Sequence, residues 1–276
     1  MKFYIIILTT LILLACTNQN VNDQKKIDSE TLTADNNQDL SEDWNLSHSL
    51  QIENEDIVLN IADSFYNKIK PETNCDEILK ECIDSLELVI NEIDSLNWSK
   101  DWQVNEEKEK ELLKKGIHVD YSEGMGYLTL YHQPIISIFK PCLSKELIKY
   151  LDNLDNESIE GCYDDGGIIV SFKTIAKRML YRKELIDNNP NFIFIDDCKE
   201  AFNYFVGDLI YGSDNSRVYL NDNSVKEAYL YIIDKSSNPE LNKSFKQFYD
   251  SVKANNFKEN DKTSKLKEQL YNSIRY

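Results

Sequence analysis

The stretch NCDEILKECIDSLELVINEIDSLNW, residues 74–98, reads as helix from end to end. Ile78, Leu79, Cys82, Ile83, Leu86, Val89, Ile90, Ile93 and Leu96 recur at three- and four-residue steps, which places them on one face of a 3.6-residue period. Asn74 can cap the free N–H groups of the first turn. Asp76 and Glu77 follow it, where the helix dipole favours negative charge. The segment before it repeats the pattern. In NEDIVLNIADSFYNKIKPE, residues 54–72, Ile57, Ile61, Phe65 and Ile69 recur every four residues until Pro71 stops the helix.

The pattern continues along the chain. A charged segment, 104–115, ends at Gly116. Ser144 caps KELIKYLDNL, and Ser171 caps FKTIAKRMLYRKELIDNN, which Pro190 ends. CKEAFNYFVGDLIYG closes on Gly212. SVKEAYLYIID, PELNKSFKQFYDSVKANN behind Asn238-Pro239, and SKLKEQLYNSIRY complete the chain. The 276 residues hold only 8 Gly and 5 Pro, and every Gly lies between 116 and 212. Long stretches without breakers favour helices. The expected fold is all-α: an irregular multi-helix domain over 54–276 of roughly nine or ten helices, with solenoid-like helix pairs as one form of it. At most a short β-hairpin is expected near 117–131. Asn189-Pro190 is echoed at Asn238-Pro239, but no thirty-four-residue consensus marks a tetratricopeptide array.

Residues 116–142, GIHVDYSEGMGYLTLYHQPIISIFKPC, break the helical pattern with three Gly, two Pro and two of the three His. Ordered irregular segments carry function more often than helices do. Tyr121, Glu123, Tyr127, Tyr131 and His132 are therefore the candidate binding residues. Tyrosine joins a broad apolar ring to a polar tip, which suits contact with a protein or a glycan. His118, Glu123 and His132 form an acid–base cluster only if the fold brings them together, and nothing in their spacing requires that.

Signatures of other chemistry are missing from the sequence. There is no H-E-x-x-H, no C-x-x-C, no G-x-S-x-G, and no Lys-Ser/Thr after the two glycines of EGMGY. No metal, cofactor or catalytic residue is expected. Cys162, in EGCYDDGG, has no histidine after it. Asp214, Asn215, Asp222 and Asn223 lack EF-hand spacing and read as a helix–helix loop. Lys173, Lys177, Arg178, Arg182 and Lys183 form two basic rows on one helix, which in so acidic a chain reads as an internal salt-bridge hub. Cys75 and Cys82, seven apart, are separated by about 10 Å along one helix and cannot bridge each other. Mostly buried thiols, with one or two bridges at most, are expected among Cys75, Cys82, Cys142, Cys162 and Cys198.

The N-terminus differs from all of this. Residues 1–15 carry one charge, Lys2, followed by the run Phe3 to Leu14, apolar but for Thr9 and Thr10. That run is too short to span a bilayer and suits the apolar region of a signal peptide. Leu13, Leu14, Ala15 and Cys16 resemble the lipobox of bacterial lipoproteins. The resemblance implies removal of 1–15 and acylation of Cys16 on its sulfur and new amino group. Several acyl chains on one cysteine give stable membrane anchoring, where one chain is marginal. Residues 16–53 then read as the lipidated cysteine and a disordered tether, rich in Asn, Gln, Asp, Ser and Thr. Thr17, by resemblance to enterobacterial sorting, implies the outer membrane of a cell that has one.

The net charge is −17 and becomes −18 once Lys2 is removed, with 30 basic against 48 acidic side chains. Such a protein repels nucleic acid and anionic headgroups, and steers basic partners in. The expected function is a lipid-anchored protein-binding module of the cell envelope, of immunity or adaptor type, with no nucleic-acid partner. An envelope hydrolase acting on cell wall or glycan, and a structural or assembly factor, are the alternatives. Cys16→Ser is expected to abolish both signal-peptide removal and labelling by a clickable palmitate analogue. Labelling that persists in the variant argues against acylation at this residue.

Overall fold

The computed structural model describes residues 56–97, 104–122 and 125–276. The lipobox, Cys16, the tether and Glu123 lie outside the described residues. Ten helices and three two-stranded antiparallel hairpins make up the rest, so the chain is all-α with an irregular multi-helix architecture. Helix α1 is Ile57–Tyr66, α2 Cys75–Asn97 and α3 Glu106–Lys114. The hairpin β1–β2 (Ile117–Ser122, Met125–Leu130) follows, then α4 (Gln133–Phe139) and α5 (Lys145–Glu160). Hairpin β3–β4 (Tyr163–Asp164, Gly167–Ile168) leads into α6 (Phe172–Asn188) and α7 (Ile195–Ile210). Hairpin β5–β6 (Gly212–Ser213, Ser216–Arg217) leads into α8 (Asn223–Lys235), α9 (Pro239–Ala254) and α10 (Asp261–Ile274).

The caps sit where the side-chain chemistry puts them. Asn105, Ser144, Ser171 and Asn238 each accept a hydrogen bond from the N–H three residues on. Asn74 accepts from Asp76 N at 3.2 Å. Helix α10 begins three residues before the SKLK segment, because Asn260 and Thr263 form a reciprocal capping box.

The first hairpin is the one expected near 117–131, with Ile117 opposite Leu130 and Ser122 opposite Met125. It packs on α2 and α3 and buries Ile117, Val119, Leu128 and Leu130. The other two occupy stretches that read as turns and loops. Asp165 and Gly166 both have positive φ, which a two-residue hairpin turn needs if it is to follow the twist of its strands. At Gly212, φ is +83° and a Cβ would lie 1.9 Å from the Ser216 carbonyl oxygen, so only glycine fits.

These two hairpins expose a repeat of the architecture. The unit helix–hairpin–helix occurs as α5–β3–β4–α6 and again as α7–β5–β6–α8. The Asn-Pro pair that ends the first unit, 189–190, recurs after the second at 238–239. Helix α6 carries the junction: it packs against both α7 and α8, and buries Ile175, Ala176, Met179, Leu185 and Ile186. The continuous apolar core runs from Val58 and Leu79 through Phe139, Phe202 and Tyr229 to Leu270.

Cys75, at the start of α2, is disulfide-bonded to Cys142, in the α4–α5 connection, with Cα atoms 5.8 Å apart. Cys82, Cys162 and Cys198 are free thiols. Closing a loop of 67 residues restricts the unfolded chain by about 4 kcal/mol. Cys142→Ala is expected to lower unfolding stability in urea by about that amount, as dithiothreitol should in the parent protein. A midpoint that neither change moves would show that the bridge contributes nothing to stability.

Candidate functional site

The residues singled out in the first hairpin are engaged inside the fold. Tyr121 donates to Glu109 Oε1 at 2.7 Å, and Tyr127 to Asp120 Oδ2 at 2.8 Å. Burial, with Glu109, pushes the Tyr121 hydroxyl up to about 12; burial, with Asp120, also raises Tyr127. Tyr131 is half-buried and raised by burial and by Asp155 and Asp152. His132 is buried, with Nδ1 2.6 Å from Asp155 Oδ1. The same carboxylate accepts from the backbone N–H of His132 (2.9 and 3.0 Å) and of Gln133 (3.0 Å). Asp155 therefore caps the first turn of α4 and ties it to α5. His118 Nδ1 shares a hydrogen bond with Ser158 Oγ at 3.0 Å, one turn further along α5. The two histidines thus meet the same helix on different partners, and both interactions join the hairpin region to it.

The basic helix divides its two rows. Arg178 and Arg182 turn inward. Arg178 Nη2 contacts Glu160 at 2.8 Å and the Gly161 carbonyl at 3.0 Å, and Arg182 Nη2 contacts Glu157 at 2.6 Å. The Arg182 guanidinium is 1% exposed and lies 5.4 Å from the Tyr150 ring centroid and 5.2 Å from that of Tyr181. Lys183 pairs with Asp187 at 2.5 Å, while Lys173 and Lys177 face solvent. The inward row is an internal hub between α5 and α6. Burial raises the thiol of half-buried Cys162, with Arg178 opposing. Among the described residues, no three His, Cys, Asp or Glu side chains converge as a metal site.

A groove forms elsewhere, where α7 runs into the two small hairpins. Two adjoining cavities of about 420 and 560 Å³ share Tyr204 and Asp208 in their walls. The first continues past Asn203, Gly207 and Tyr271, the second past Tyr163, Phe205 and Ser213. The local sequence explains the shape. In IDDCKEAFNYFVGDLI, Phe202, Phe205, Val206 and Leu209 bury one face of α7, and Tyr204 projects on the other, 59% exposed. Tyr163 and Tyr211, 43% and 46% exposed, stand on either side. Glu200 and Asp214 add exposed carboxylates at the rim.

Asp208 lies at the floor, 8% exposed, and accepts a hydrogen bond from the Tyr163 hydroxyl. Residues 117–142 drew attention for their irregularity, and this groove on a regular helix was missed. Its signal in the sequence is an Asp beside a Gly in the last turn, on the face that carries Phe205 and Leu209. No family model, curated protein or solved structure matches the chain.

Burial raises the Asp208 carboxyl above its ordinary value, with only the Tyr163 hydrogen bond opposing. A group raised in this way holds its proton more tightly folded than unfolded. Its ionisation therefore costs stability at neutral pH, and the cost vanishes as pH falls through the raised value to the ordinary 3.8. Asp208→Asn is expected to raise the urea midpoint at pH 7, and the gain should close near pH 3. A destabilised variant at pH 7 would mean that the ionised carboxylate stabilises the fold instead.

Proposed function

We propose that the chain is a membrane-anchored lipoprotein whose helical domain binds a protein partner in the cell envelope. The observation that carries this reading is the exposed tyrosine face of Tyr163, Tyr204 and Tyr211 over two adjoining cavities. Large aromatic rings standing in solvent beside concave surface are the side chains that dominate protein interfaces when covered. The α7 groove is favoured as the contact surface over the β1–β2 hairpin because its tyrosines stand more exposed, whereas Tyr121 and Tyr127 are half-buried.

Two further observations support the envelope setting. The Cys75–Cys142 bridge suits an oxidising compartment outside the cytosol. The formal charge of −17 favours fast, salt-sensitive encounter with a basic partner. Immunity against a cationic exported protein, and an adaptor role at the membrane, both fit that charge.

The test uses the full-length lipoprotein, crosslinked in its own cells and purified in detergent. One stoichiometric basic protein is expected, with capture lost at raised salt and in the variant Tyr204→Ala/Tyr211→Ala. Both substitutions are at exposed positions, so folding should be retained and is checked by circular dichroism. Undiminished capture by the folded double variant argues against this face, and the lack of any partner argues against a binding module.

A further inference from the structure

Asp208 is placed where a carboxylate is least at ease. It sits in the last turn of α7, two residues before the final Ile210, where the negative end of the helix dipole opposes a negative charge. It is buried, and an unpaired buried carboxylate is costly. Tyr163 supplies a hydrogen bond but no charge, and no Lys, Arg or His lies within 4.0 Å of it among the described residues. Asp155, the other buried acid among the described residues, has His132 Nδ1 at 2.6 Å, and half-buried Glu157 meets Arg182 at 2.6 Å. The comparison isolates Asp208 as a buried acid without a cation.

Two neighbouring features bear on the cavities. Ser213 Oγ is enclosed beside the second cavity with no hydrogen-bond partner. Gly207, inside α7, costs about 1 kcal/mol relative to alanine. Packing does not demand it, since a Cβ there would meet nothing closer than Tyr271 at 4.0 Å. Its missing side chain leaves the cavity open beside Asp208.

We propose that Asp208 is the counter-ion of a guanidinium subsite, and that the groove takes an arginine side chain from a basic segment of the partner protein. The inference rests on the partner-binding reading above and names the chemistry the partner brings. A guanidinium has donors enough for a bidentate contact with the carboxylate, and a flat face to lie against Tyr204. An ammonium is a hydrated point charge and uses the aromatic wall less well. The chain already stacks a guanidinium on a tyrosine at the groove's edge, where Arg275 lies 5.3 Å from the Tyr271 centroid. Charge complementarity brings such a segment in, since Glu200 and Asp214 flank the entrance.

The test labels the full acylated chain, in detergent, with 3-fluorotyrosine and follows Tyr163 and Tyr204 by fluorine NMR. The probes are acetyl-Ser-Arg-Ser-amide, its citrulline isostere, which is uncharged, and its lysine counterpart. Saturable shifts are expected with the arginine peptide, about thirtyfold weaker binding with citrulline, and intermediate binding with lysine. Asp208→Asn, and separately Gly207→Leu, which fills the first cavity beside Tyr271, should abolish the shifts while keeping the helical circular dichroism signal. Equal binding of arginine and citrulline, or an Asp208→Asn protein that still responds, overturns the subsite. Partner capture that persists in Asp208→Asn, together with silent tyrosines, overturns the subsite but leaves the binding module standing. Shifts without any captured partner do the reverse.

Discussion

The packing of α6 on α7 and α8 holds the C-terminal half together, and the two small hairpins dock on each other beside it. Ser216 Oγ accepts from Ile168 N at 2.8 Å, and the Gly166 carbonyl accepts from Asn215 N at 3.1 Å. Each hairpin ends one helix and starts the next, so joining them fixes α5–α6 relative to α7–α8. Backbone conformation makes the approach possible. Asp165 and Gly166 turn with positive φ, and Gly212 brings its chain against the Ser216 carbonyl where no side chain would fit. The second cavity, walled by Tyr163, Gly166, Ser213 and Asp214, lies between those hairpins and α7. The same contact thus builds the repeat and the groove.

Two buried charges in this half are treated in opposite ways. Arg182 is enclosed by Tyr150 and Tyr181 and paired with Glu157, and with Arg178 and Glu160 it ties α5 to α6. Removing one partner of such a pair leaves a charge stranded, so the junction depends on both. Asp208 has a hydroxyl and a cavity instead of a cation. Arg182 is thus paired within the fold, whereas Asp208 faces a cavity.

The charge balance extends this logic beyond the groove. Lys80–Asp84, Lys110–Glu106 and Lys246–Asp250 are helical pairs on exposed faces and contribute little each. The excess of acid over base in the chain therefore remains a field on the surface rather than a source of stability. Stability comes from the apolar core and the Cys75–Cys142 bridge, and the field is free to act on partners.

The helices were legible in the chain itself because periodicity and capping are local. Asn105, Ser144, Ser171 and Asn238 act within three residues of themselves, and the Ile and Leu spacing of 74–96 needs no distant partner. The separation of Cys75 from Cys82 by two helical turns was local too. The site was not. Tyr121 and Tyr127 looked available because nothing in sequence announces Glu109 twelve residues away or the cross-strand Asp120. Ser216 reaches Ile168 across 48 residues, and Tyr163 reaches Asp208 across 45. A groove is a relation between segments that meet only after packing, so its residues carry no shared spacing. The sequence by itself determined the helices, most of their caps and the acidic composition. Only the tertiary structure decided which charges are paired, which tyrosines stand in solvent, and that one buried carboxylate was left open to a cavity.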